Sequence, residues 1–277
     1  DQLTLGLIDT AGDGRFTPFD TTTAWCWQQG TMLRWLPPAE DRQVIYNIRQ
    51  GDHFASMIRD VFTGRTRTLP LPVYAVSPDG RYGLSLNFSR LARRRPGYGY
   101  EGVLDRTLGQ NHPKDDGIYW MDLATGENRL IFSLDQAVSI NTRPGQADVE
   151  NWFNHIQINT NGSRFAVIHR WVPPGHPHWL TRLLTMNPDG RDPYLLADND
   201  YFSHYDWFGP TQLMAHTRPA GQLDGYYLLT DRSQAARPHG QGALPGDGHM
   251  SFTPDRRWML TDTYPDKEHL RTLIGAG

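Results

Sequence analysis

The chain has 277 residues, with 27 Lys and Arg against 30 Asp and Glu and a formal net charge of −3. That balance gives no electrostatic case for a nucleic-acid partner, and no apolar run is long enough to span a bilayer. The single cysteine, Cys26, rules out an intrachain disulfide and a thiolate cluster, and between Trp25 and Trp27 it reads as a buried, inert thiol.

In chain order, Leu3 to Asp9 and Arg15 to Asp20 read as two outer strands without inner partners. Four strands follow between Thr31 and Leu71, near 31–36, 42–49, 53–61 and 65–71, with a turn at Thr63-Gly64. A second unit starts near Pro72. Its inner hairpin turns at Ser77-Pro78-Asp79-Gly80 and its outer hairpin runs from Gly117 to Leu134. Between these hairpins the stretch Ser89 to Asp116, with Arg90, Arg93, Arg94, Arg95, Tyr98 and Tyr100, reads as one long loop. Loops of that length are usually functional or disordered. A third unit covers 154–197, a fourth roughly 204–237, and a fifth runs from His249 to near Ile274. The segments VYAVSPDGRYGLSLNFSR, NHIQINTNGSRFAVIHRW, HYDWFGPTQLMAHTR and HMSFTPDRRWMLTDTY are copies of one strand–turn–strand pattern. Self-similarity of this kind, with four short strands per copy, predicts an all-β fold, a β-propeller of four-stranded blades. Residues 1–277 are expected to form one propeller domain with five blades visible. Two arrangements stay open: a five-bladed ring whose ends share a blade, or part of a larger ring, such as a seven-bladed one, incomplete at both ends. No signal peptide is visible. The expected location is the cytoplasm or the periplasm, and the sequence leaves the oligomeric state open.

In a propeller the inner strands line a central channel. Antiparallel pairing brings the start of a first strand and the end of a second strand to the same rim. First-strand starts carry Gln28, Gln29, His155, His204 and His249. Second-strand ends carry Asn47 and Arg49, Asn87 and Arg90, His169 and Arg170, His216 and Arg218, and Asp262 and Tyr264. Imidazoles and an amide on such a rim suit a divalent cation of intermediate hardness, Mn²⁺ or Zn²⁺. The arginines suit a carboxylate, which a guanidinium grips with paired hydrogen bonds. Together they point to an acidic sugar. Taking the proton beside a uronate carboxylate builds charge there, so a cation must neutralise it while a His or Tyr accepts the proton.

These residues carry a resemblance. The pattern H-x-x-x-x-x-x-G-x-x-(apolar run)-H-R/G-x-W, the later W-x-x-R-L-x-x-x-N-P-D-G, the segment Asp247 to Asp255 (DGHMSFTPD) and Thr261 to Asp266 (TDTYPD) are similar to the oligogalacturonate lyase family. The likeness runs from about Trp25 to Asp266. It implies a β-propeller, β-elimination of uronate-containing oligosaccharides, and a divalent metal, typically manganese, held by channel His and Gln residues with a further His as base. On that reading Gln29, His155, His204 and His249 are metal candidates, and His155, His204, His169 and Tyr98 are catalytic candidates. Arg90, Arg170, Arg218 and Tyr100 are substrate-binding candidates. The sequence departs from the family in being shorter, in lacking a Gln/His cluster after Asp266, and in the segment Arg93 to Tyr100. A non-catalytic propeller that binds a protein or carbohydrate partner is the second expectation. A glycosidase, which needs two facing carboxylates, would have to use Asp262 and Asp206. His53, His112, His239 and His269 rank lower, and His176 and His178 are second-rank.

Overall fold

The structure is a computed structural model that describes residues 1–244, 246–268 and 271–276; His269 lies outside the described residues. The chain divides into two compact units, residues 1–139 and 140–277. Both are built from antiparallel sheets whose strands pair with their sequence neighbours. This is the up-and-down meander of a propeller blade, and the fold class is the all-β propeller that the repeats predict.

The first unit opens with a two-stranded sheet, β1 (Leu3–Ile8) and β2 (Phe16–Thr22). A four-stranded blade follows: β3 (Arg34–Trp35), β4 (Gln43–Gln50), β5 (His53–Asp60) and β6 (Thr66–Leu69). The next blade contains β7 (Ala75–Val76), β8 (Tyr82–Ser85), β9 (Gly117–Asp122) and β10 (Asn128–Ser133). Between β8 and β9 stands a short helix, α1 (Phe88–Arg94), and after β10 a second, α2 (Leu134–Ser139). The stretch expected as loop from Ser89 therefore begins as helix. Asn87 caps it by accepting a hydrogen bond from Arg90 N at 2.9 Å, and Phe88 and Leu91 anchor one face in the interior.

The second unit has two four-stranded blades. They are β11 (Asn151–Ile158), β12 (Phe165–Trp171), β13 (Leu180–Met186) and β14 (Tyr194–Ala197), then β15 (Phe202–Trp207), β16 (Gln212–Thr217), β17 (Gly225–Thr230) and β18 (Ala236–His239). A three-stranded sheet closes the described chain: β19 (Ser251–Phe252), β20 (Met259–Asp262) and β21 (Leu273–Ala276). The central strands are rich in β-branched and aromatic residues and are buried on both faces. Every residue of β12, FAVIHRW, is buried, as is LLTM of β13. Blade packs on blade through such faces: Ala166, Ile168 and Leu183 meet Tyr205, Trp207 and Leu213 in one apolar cluster. No helix among the described residues is long and apolar enough to cross a membrane.

The copied turns share a mechanism. In Ser77-Pro78-Asp79-Gly80 the Asp79 carboxylate accepts from Ser77 Oγ (2.7 Å) and Arg81 N (3.1 Å), and Ser77 Oγ accepts from Tyr82 N (3.0 Å). Thr253 and Asp255 repeat these bonds with Arg257 N (3.1 Å) and Trp258 N (3.1 Å). Gly80 is required there, since φ is +70° and a Cβ would lie 1.9 Å from Pro37 O.

Asparagines on the inner hairpins join neighbouring blades within each unit. Asn47, fully buried on β4, donates through Nδ2 to Val73 O (2.7 Å) and Tyr100 Oη (2.9 Å), and accepts from Val73 N (2.7 Å). Asn159, equally buried, donates to Pro210 O (2.7 Å) and accepts from Arg164 N (3.1 Å). Arg164 in turn reaches the next blade, its Nε donating to Asp231 Oδ2 at 2.8 Å.

Candidate functional site

The second unit gathers three histidines and two aspartates, with Tyr264 beside them. His204 comes from β15, His216 from the end of β16, His249 from the segment before β19, and Asp262 from the end of β20. Antiparallel pairing explains the gathering, because strand starts and neighbouring strand ends meet at one edge. Asp247 completes it from the segment before His249.

His204 Nδ1 lies 2.9 Å from Asp247 Oδ1, with Ser203 Oγ 3.2 Å away. His216 Nδ1 stands 3.6 Å from the same carboxylate oxygen, too long for a hydrogen bond. His249 turns Nδ1 to Asp262, at 3.0 and 3.1 Å from its two oxygens, and its backbone N–H donates to Asp262 Oδ1 at 2.6 Å. Arg271 supports Asp262 from the other side at 3.2 Å. The His204 and His249 rings are 4.1 Å apart, and Tyr264 lies 6.0 and 6.4 Å from them. His249 and Tyr264 are exposed; His204 is half-buried. A carboxylate that accepts from Nδ1–H fixes the tautomer and leaves the Nε2 lone pair outward, as a base or a metal ligand requires.

Electrostatics within the cluster are unequal. Burial pulls His216 below the ordinary imidazole range, although Asp247 and Asp224 push it up. Burial pushes the Asp247 carboxyl up, and its hydrogen bonds and charges from His204, Ser203 and His216 outweigh that, so it stays ionised below the usual carboxylate range. Asp262 behaves the same way, burial being overcome by His249 and Arg271. Arg218 pairs with Asp224 and lies over the Tyr201 ring, 4.5 Å from its centroid. Asp206 is pushed up to about 6 by burial and is tied to Trp207 N at 2.9 Å.

The other expected site residues are placed as follows. His155 stands inside β11 and not at its start. It occupies a bulge between the pairs Asn154–Ile168 and Gln157–Ala166, with φ +52°, and its carbonyl accepts from Tyr205 Oη. The strand begins four residues earlier because Trp152 and Phe153 pair with Arg170 and His169. His169 is 0% exposed and sits between Phe153 and Trp171, with Nδ1 accepting from Arg182 Nε at 3.1 Å. Substrate does not reach it in this structure. Arg170 is buried, bonded to Thr181 Oγ1 at 3.2 Å and stacked on Trp179. Arg90 is 2% exposed and donates to Thr107 O (3.1 Å), Gln110 O (2.7 Å) and Asn111 O (3.1 Å). Those bonds brace the loop onto α1. Tyr100 is likewise interior, 0% exposed and stacked on Phe88 at 4.2 Å. Tyr98 is half-buried under Arg95. Gln29 lies in the first unit, where its Oε1 accepts from Tyr74 Oη at 2.7 Å.

Among the described residues no group of three or more His, Cys, Asp or Glu side chains converges as a metal centre requires. His204 and His249 have the donor chemistry of metal ligands.

No protein-family model and no curated protein matches the chain. Solved structures do, and they define the class as β-propeller. An oligogalacturonate lyase in complex with manganese aligns with TM-score 0.61 at 15% identity, over 94% of this chain and 67% of that one. The β-propeller domain of the Trilobed protease from Pyrococcus furiosus gives 0.52 at 10% identity, over 92% and 68%. TolB from Acinetobacter baumannii gives 0.50 at 14% identity, over 98% of this chain and 56% of TolB. The chain thus spans between a little over half and about two thirds of these proteins. At such identities the likeness establishes the fold alone.

Proposed function

We propose that the cluster of His204, His249, Asp247 and Asp262 is a proton-transfer site that cleaves uronate-containing oligosaccharides by β-elimination. The observation that carries this is the pair of imidazoles, 4.1 Å apart, each with Nδ1 held by its own carboxylate. The likeness to a lyase fold supports it. His249, the exposed member, takes the proton from the carbon beside the uronate carboxyl through Nε2. The charge that develops on the carboxyl group is met by a guanidinium, Arg218 or Arg271, both on this unit. The C–O bond on the neighbouring carbon then breaks, and the Tyr264 hydroxyl gives a proton to the departing oxygen. The test is ultraviolet absorbance of the unsaturated product during incubation with oligogalacturonate. His249→Ala abolishes the signal; full activity in that variant would refute the assignment.

The divalent metal expected from the sequence is a separate proposal. His204 would supply a ligand through Nε2, leaving His249 as the base, and a calorimetric titration with Mn²⁺ tests it. A non-catalytic partner-binding role is the alternative reading, favoured by exposed Leu223 (82%) and Trp258 (55%). Absence of product from any uronate oligomer would favour it.

A further inference from the structure

In the first unit a cavity of about 380 Å³ is lined by Asp1, Thr23, Trp25, Cys26, Trp27, Arg49, Glu101 and the glycines of the 97–102 loop. The size falls in the range of small-molecule sites, about 300–1,000 Å³, but the lining is mostly polar, unlike a pocket for an apolar ligand. We infer that this cavity binds a neutral pyranose unit of an oligosaccharide. The inference does not rest on the elimination site.

Trp27 is 83% exposed, a large apolar surface that folding leaves in water. Its ring is braced edge-on by Trp25 at 5.0 Å and 74°, and Trp25 is itself held by an Nε1 hydrogen bond to Asp1 O at 3.3 Å. An indole so braced offers a rigid face. The C–H face of a pyranose ring can cover that face while its hydroxyls stay at the rim, where polar groups stand.

The opposite wall is fixed. Gln28 N donates to Gly97 O at 3.1 Å, joining the tryptophan turn to the glycine loop. Gly99 lies so close to α1 that a Cβ there would fall 2.1 Å from Ala92 N. Arg49 packs its guanidinium on Gly102, whose absent Cβ would sit 2.5 Å from Nη1, while Arg49 Nε donates to Gly51 O at 3.0 Å. The terminal guanidinium nitrogens are donors for sugar oxygens, and the Glu101 and Asp1 carboxylates are acceptors for hydroxyls. With carboxylates and a guanidinium on one lining, uncharged hydroxyls find both acceptors and donors.

The experiment is saturation-transfer NMR of the full chain with lactose, cellobiose, maltose and digalacturonate as probes. We expect transfer to ring C–H protons of a neutral disaccharide. Trp27→Ala weakens it at least about ten-fold, as loss of a Trp anchor does, with the melting temperature unchanged because the side chain is exposed. Glu101→Gln weakens it with the tryptophans intact. The inference is overturned if no neutral disaccharide shows transfer, if transfer survives Trp27→Ala, or if digalacturonate is the probe that depends on Trp27. Elimination activity is measured separately and its outcome does not bear on this one.

Discussion

His169 makes acid stability the sharpest test of the second unit. Its ring is 0% exposed, and burial, with the Arg182 charge beside it, holds it well below the ordinary imidazole range. The unfolded chain therefore takes up this proton first as pH falls. Above the unfolded value, 6.5, neither state binds it and the group contributes no pH dependence. Below that value the unfolded state gains one proton that the folded state refuses. Stability then falls by about 1.4 kcal/mol per pH unit, or about 2 kcal/mol between pH 6.5 and pH 5. His216, shifted in the same direction by burial, adds to the loss in the wild type. His169→Gln isolates the first effect, since the amide oxygen still accepts from Arg182 Nε and does not titrate. Urea unfolding from pH 7.5 to 5 should show wild type losing about 2 kcal/mol more than the variant. A difference that stays flat with pH would show that the ring is not buried as a neutral group.

Asp247→Ala removes the carboxylate shared by His204 and His216, and turnover of oligogalacturonate should fall about ten- to a hundred-fold with little change in melting temperature. Asn47→Ala leaves Val73 N–H and C=O without their partner, which should cost about 3–5 kcal/mol in urea unfolding. Asp231→Ala removes the closest partner of the buried Arg164 guanidinium, which keeps Asp192 at 3.6 Å and Asn187 Oδ1 at 2.9 Å, so the cost should be lower, about 1–3 kcal/mol in urea unfolding.

Much of the architecture is visible in the sequence because the turns are chemical. An Asp two residues after a Ser or Thr bonds forward to the next strand, as at Asp79 and Asp255, and that leaves a readable spacing. The rim is readable for a similar reason: His204, His216, His249 and Asp262 sit at strand ends, and pairing brings them together. Asp247 carries no such signal, since it lies between strands; only its place in the D-G-H-M segment marks it. The helix at Phe88–Arg94 is not legible because an arginine-rich stretch resembles a solvated loop. Asn87 capping and the burial of Phe88 turn it into a helix that draws the Arg90 and Tyr100 side chains inward. His155 reads as a strand start from sequence, whereas β11 begins at Asn151 and runs through a bulge at His155.

The asparagine clasps at Asn47 and Asn159 have a mechanical corollary. Within a sheet many backbone bonds share any pull, while adjacent sheets are held by apolar faces and a few polar bonds such as these clasps. Under load or mild denaturant the lines of parting should run along these joins, releasing whole sheets before any strand is peeled away. Limited proteolysis would then cut in the linkers between blades, at 70–74 and 198–201, ahead of any cut inside a blade.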